Sequence, residues 1–184
     1  MSNESGYCVK DCTKCPALVE NRTQIVNGVG PADADILFVG EAPGENEDET
    51  GEPFVGRSGE KLDDALHKND ISRTDVRITN VVRCRPPDNR DPRKSERENC
   101  NEFLLSEITK VQPDVIIPVG KIPSEQLLDE DVAITKQAGE IHTIPVGTQD
   151  FTVILCPHPA AMFYNRDLEP IFYDTISSAV NQTQ

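Results

Sequence analysis

Four short apolar runs punctuate the chain, at residues 36–39, 76–82, 115–119 and 151–156, and each reads as a buried strand. Between them apolar residues recur at helical spacing. Leu62, Ala65 and Leu66 share one face of 59–68, and Phe103, Leu104 and Ile108 share one face of 95–110. Shorter helical patterns follow at 123–128 and 168–180. Strands that alternate with helices predict an α/β sandwich around a mostly parallel sheet. The chain has no internal repeat, low-complexity block or Gly/Ser linker, so residues 1–184 read as one domain with a cysteine-bearing N-terminal arm. A chain of this length buries roughly two-thirds of its unfolded surface. No run approaches the roughly 20 apolar residues that span a bilayer, and the first residues carry no apolar stretch, so the expectation is a soluble, cytoplasmic monomer.

In an open parallel sheet the ligand crevice lies beyond the carboxyl ends of the strands. Four motifs fall there: Gly40-Glu41-Ala42-Pro43-Gly44, Asn80, Gly120 and Cys156-Pro157-His158-Pro159. Glycines let the first loop turn sharply and aim its amides at a bound oxygen. Phe54, set between Pro53 and Gly56 in a polar loop, is placed to present a ring face; the alternative is a loop anchor tucked under the sheet. Asn80 offers a donor and an acceptor, the pattern that pairs with the N3-H and O4 edge of uracil and is reversed in cytosine. His158 is stiffened by proline on both sides and can donate to a carbonyl that gains negative charge. The large side chains Met162, Phe163 and Tyr164 follow without strand periodicity, and either cap the last helix or wedge into a base stack.

Charge alters this picture. With 32 acidic against 18 basic residues the formal net charge is -14, which opposes DNA binding unless the cations are concentrated. Arg83, Arg85, Arg90, Arg93, Lys94 and Arg97 fall within fifteen residues, and serve either as a DNA-facing patch or as a solvated helix face paired with Glu96 and Glu98. The low pI resembles that of halophilic proteins, in which acidity maintains solubility in salt. Cysteine adds a further element. Cys12 and Cys15 form a two-residue-spaced pair, and Cys84 and Cys100 flank the basic cluster; four thiolates suit zinc or a 4Fe-4S cluster. Cys8 extends the first pair to a radical-SAM spacing, but short α/β units follow in place of a partial barrel. Cys156 sits in an apolar strand end and reads as packing.

Together these residues resemble the family 4, iron-sulfur uracil-DNA glycosylases. The motifs that carry the resemblance run in order along nearly the whole chain: Cys12-x2-Cys15, Gly40 to Gly44 with Glu47-Asp48, Gly51-x-Pro53-Phe54-Val55-Gly56-Arg57-x-Gly59, Thr79-Asn80-Val81-Val82-x-Cys84-Arg85-Pro86-Pro87-x-Asn89-Arg90-x-Pro92, Cys100 and His158-Pro159-Ala160-Ala161. The resemblance implies a three-layer α/β/α sandwich with a four-stranded parallel sheet, and a 4Fe-4S cluster on Cys12, Cys15, Cys84 and Cys100. It further implies a uracil pocket formed by Gly40, Glu41, Ala42, Phe54, Asn80 and His158. His158 would be catalytic, with Glu41 and Glu47 as candidate water-activating carboxylates, because Ala42 stands where other branches carry Asp. Arg85, Arg90, Arg93 and Met162 would contact uracil-containing DNA, single- or double-stranded, with Met162 at the place where the superfamily inserts a residue into the duplex. Relatives often carry Arg soon after the His-Pro turn, whereas this chain has Tyr164 first and Arg166 later. Two other functions fit part of the pattern. A protein that traps uracil-DNA without turnover would need the basic loop with a nucleophilic His, and residues 85–100 contain no His. An electron carrier would leave Phe54, Asn80 and His158 without a role.

Overall fold

In the computed structural model, which describes residues 8–183, strand β1 (Ile36–Gly40) is buried at every position, as an apolar run covered on both faces requires. It pairs in parallel with β2 (Arg77–Asn80) on one side and β3 (Val115–Pro118) on the other. Beyond β3 lies a hairpin of β4 (Ile141–Val146) and β5 (Gln149–Ile154), in which β5 is parallel to β3 and β4 antiparallel to β5. The sheet order is β2-β1-β3-β5-β4. The expected four-stranded parallel sheet is therefore corrected to a mixed sheet of five. Strand β4 has no apolar run because it is an edge: Ile144 and Val146 are buried while Ile141 is 58% exposed. An edge also tolerates Pro145, and Gly147, at φ +63°, makes the tight turn into β5.

Alternation along β1 divides the core into two layers. Phe38 packs with Leu62 and Leu66 of α3 (Arg57–His67) and with Phe172 and Ile176 of the final helix, Leu168–Thr183. Leu37 and Val39 face the opposite layer, with Leu18 of α1 (Pro16–Asn21) and Leu104 and Ile108 of α4 (Lys94–Val111). The second layer also takes Leu127 and Leu128 of α5 (Lys121–Leu128) and Ile134 of α6 (Ile134–Gln137). A short α2 (Glu45–Thr50), with acids in its first turn to suit the helix dipole, fills the loop after β1, and Leu168–Thr183 is α7. The three-layer α/β/α arrangement is as expected. Among the described residues, no helix is long and apolar enough to cross a membrane.

One buried ion network fastens α4 to the sheet. The Glu107 carboxylate, fully buried, accepts from Arg77 Nε at 2.7 Å and from an Arg83 guanidinium nitrogen at 2.7 Å. Arg77 also donates to the carbonyls of Gly28 and Gly30, which ties in the chain leading to β1. Removing one partner of such a network strands the others in a dry environment. Glu107→Ala is expected to cost about 3–5 kcal/mol of folding stability, measured by urea denaturation; an unchanged midpoint would show that the network does not hold α4.

Candidate active site

The connection from β1 to β2 carries α3 over one face and the connection from β2 back across β1 to β3 carries α4 over the other, so a crevice opens at the carboxyl end of β1. A cavity of about 260 Å³ occupies it, lined by Glu41, Ala42, Gly44, Glu47, Phe54, Ser58, Asn80 and His158. That volume lies just below the usual range of ligand sites, which starts at roughly 300 Å³. Gly40 is the reason these groups can meet. A Cβ there would lie 2.3 Å from Asn80 Oδ1 and 2.4 Å from the Phe54 ring, so any side chain would displace one of them. Phe54 adopts φ +55°, uncommon for a residue with a Cβ. Its backbone is clamped in that state: Arg73 donates to the carbonyls of Pro53 and Phe54, and Gly59 approaches so closely that a Cβ would lie 1.7 Å from the Phe54 oxygen.

His158 stands opposite, with its ring centroid 6.5 Å from that of Phe54. Burial pushes its imidazole below the usual range, so the ring is neutral near pH 7. The Ala160 amide donates to Nδ1 at 3.1 Å, which assigns the remaining proton to Nε2 and makes that atom a donor. Gly120, at φ +104°, backs the ring, with its Cβ position 3.1 Å from the His158 Cβ. The two carboxylates differ in their engagement. Glu47 accepts from the amides of Gly44, Val55 and Gly56 at 3.0–3.1 Å, tying the loop after β1 to the Phe54 loop. Glu41 has no such anchor among the described residues; burial, with Asp91 beside it, raises its pKa to about 7. Sequence reasoning placed Gly120 at the crevice but missed Asp91 and Ser58 here; only the Gly51-to-Gly59 motif carried a signal for Ser58.

The four cysteines expected to share a site line a common cavity. Cys12 and Cys15, before α1, meet Cys84, after β2, and Cys100, within α4, around one cavity walled by Leu18, Val19 and Val82. Arg22 donates to Cys84 Sγ at 3.0 Å, and Asn99 to Cys15 Sγ at 3.5 Å. Burial raises the Cys84 thiol and takes Cys100 to about 11. Among the described residues, no three of His, Cys, Asp and Glu converge closely enough to share a single metal ion. Cys8 is exposed, and Cys156 is wholly buried.

A family model described as the uracil DNA glycosylase superfamily matches residues 27–180. The chain belongs to that superfamily. It is 46% identical over 162 residues to the Type-4 uracil-DNA glycosylase of Thermotoga maritima, covering 88% of this chain and 82% of the relative. Against the Type-4 enzyme of Archaeoglobus fulgidus it is 38% identical over 164 residues, 87% and 82% of the two chains. A Type-5 uracil-DNA glycosylase of Pyrobaculum aerophilum is 30% identical over 142 residues, 61% of this chain and 62% of that one. The chain falls in the type-4 branch.

For a uracil-DNA glycosylase, the basic cluster is more self-paired than its sequence implies. Arg83 is 1% exposed and bound to Glu107, so it is not a surface cation. Arg90 makes paired bonds to Glu96 at 2.7 and 2.9 Å, and Arg85 bonds Asn89 and lies 3.7 Å from Glu45. Arg93 is exposed and makes no ion pair among the described residues. Met162, expected to enter the duplex, is 4% exposed and packed in the core beside α3 and α7, because the 3-10 turn Pro159–Phe163 rolls it inward; this arrangement does not present it to DNA. The exposed members of that turn are Phe163 at 42% and Tyr164 at 93%. Gly40→Ala is expected to drive Phe54 or Asn80 out of the glycosylase pocket. A crystal structure of the variant with both side chains still in place would refute the close-approach argument.

Proposed function

We propose that the chain hydrolyses the N-glycosidic bond of deoxyuridine in DNA, releasing uracil and leaving an abasic site, as in base excision repair. The observation that carries this reading is the meeting of Phe54, Asn80 and His158, from three separate segments, in one base-sized cavity. The nucleotide leaves the stack at a cost of a few kcal/mol. Phe54 stacks on the base, and Asn80 pairs with its N3-H and O4 edge. As the C1′–N1 bond breaks, negative charge gathers on the base and His158 Nε2-H donates to O2. A neutral donor suits this task, because it stabilises the departing anion without first losing a proton to water. Water forms the new C1′–O bond and gives its proton to Glu41. Glu47 holds the two loops together, leaving Glu41 as the water-activating base.

This assignment fixes a pH dependence. Glu41 accepts a proton only when ionised, so single-turnover excision should rise as pH passes upward through about 7. Glu41→Gln should be slow and lack that limb, and a Gln variant with the wild-type profile would remove Glu41 from the role. His158→Ala, measured alongside, should lose about a hundredfold in rate.

Cys12, Cys15, Cys84 and Cys100 would hold a 4Fe-4S cluster. What supports this reading is the donor set: four thiols line one cavity with Leu18, Val19 and Val82, and four thiolates are the ligands that a 4Fe-4S cluster takes. When bound, the cluster supplies a four-way cross-link. It would fasten the segment before α1 to α4, and so would set the loop that carries Arg85, Arg90 and Arg93. The acid-rich surface fits a salt-rich solvent. Cys84→Ala is expected to purify without visible absorbance and to melt at a lower temperature; a brown variant of unchanged stability would exclude Cys84 as a ligand.

A further inference from the structure

Glu47 lines the pocket from α2, and the next residue in that helix, Asp48, is 2% exposed. Among the described residues its carboxylate is met by main-chain amides. The Thr23 nitrogen lies 2.9 Å from both oxygens and the Gln24 nitrogen 3.4 Å from one. A carboxylate is costly to bury unless it is hydrogen-bonded in this way, and a helix of six residues is too short to hold itself. These bonds therefore fix α2 against residues 23 and 24. Gln24 adds to the hold, with Nε2 donating to the carbonyls of Asp48 and Glu49 at 3.0 Å each. The same segment reaches the cysteine site. Arg22 donates to Cys84 Sγ at 3.0 Å and to the Cys12 carbonyl at 2.8 Å, and Asn21 donates to the Arg85 carbonyl at 3.0 Å. A continuous set of bonds thus runs from the cysteine cavity through residues 21–24 and Asp48 to α2, where Glu47 accepts from the Val55 and Gly56 amides beside Phe54.

We propose that Asp48 is a positioning residue for the uracil pocket: it seats α2 on residues 21–24, so that Glu47 holds the Phe54 ring opposite His158 and against Asn80. The proposal rests on the uracil-excision reading and extends it to the cysteine site, which becomes the footing of the base-stacking loop. Phe54 keeps its positive φ between two clamps, Arg73 on the carbonyls of residues 53 and 54 and Glu47 on the amides of residues 55 and 56. The Glu47 clamp is the one that depends on α2. Without Asp48 the loop retains its Arg73 bonds but loses a fixed partner for the two amides, and the ring leaves the position that stacks on the base.

The test is NMR of the full-length protein labelled on phenylalanine, with Phe54 assigned through Phe54→Leu. Asp48→Ala should shift or broaden the Phe54 ring signal and leave those of Phe38 and Phe172, both fully buried in the core, in place. Single-turnover excision should fall about tenfold or more, with unchanged affinity for an oligonucleotide carrying a stable abasic analogue. Asp48→Asn, which keeps the shape and one acceptor oxygen, should lie between wild type and Asp48→Ala, and carries the same comparison if the alanine variant fails to fold. Arg22→Ala should also move the Phe54 signal. Wild-type Phe54 signal and excision rate in Asp48→Ala would overturn the positioning role, and an unmoved Phe54 in Arg22→Ala would remove the cysteine site as its footing. The NMR arm requires no uracil release, so the two readings separate. A Phe54 that moves in a protein releasing no uracil sinks excision alone, whereas release with an unmoved Phe54 sinks the positioning role alone.

Discussion

The site depends on a single close approach. At Gly40 the end of β1 carries no side chain, and both the Asn80 carboxamide and the Phe54 ring occupy the space that one would fill. The rest of the local architecture holds that arrangement under strain. Phe54 keeps a positive φ because Arg73 grips its carbonyl, Asp63 grips Arg73 at 2.9 Å, and Gly59 yields room to the same oxygen. Glu47 completes the clamp from the other side through the Val55 and Gly56 amides. A base-reading pocket is thus built from backbone pinned by side chains, with few side-chain rotors left to settle when a ligand enters.

Electrostatics divides the molecule in a similar way. The formal net charge of -14 sets a repulsive background for DNA, and most arginines are committed to internal tasks. Arg77 and Arg83 secure α4 through Glu107, Arg90 shapes the loop before α4 through Glu96, and Arg22 points into the cysteine cavity. Inside the pocket, burial depresses the His158 imidazole while burial and Asp91 raise the Glu41 carboxyl. Desolvation moves the two groups in opposite directions, which produces a neutral donor and a base that titrates near neutrality.

Much of this was legible in the sequence, and the exceptions share a cause. The four apolar runs became strands because burial on both faces leaves little room for polar residues, and the strand ends delivered Asn80 and His158 to one crevice. Strand β4 was invisible, since an edge strand half in solvent needs only Ile144 and Val146 to be apolar. Composition marked Arg83 as a surface cation, yet its partner Glu107 lies 24 residues away on α4 and only the fold brings them together. Met162 lies in the core, where the resemblance implied a place in the duplex, for a related reason. A 3-10 turn rotates successive side chains by about a third of a circle, so which of three adjacent large residues points inward is decided by the turn and not by their types.

The central claim is that the pocket turns over. The most direct measurement is incubation of the wild-type protein with a uracil-containing oligonucleotide, from dilute to molar salt, followed by alkaline cleavage at abasic sites. Strand scission at the uracil position, with free uracil in equal amount, is the predicted result. Intact oligonucleotide at every salt concentration, even with tight binding, would contradict it and leave a protein that captures the base without releasing it.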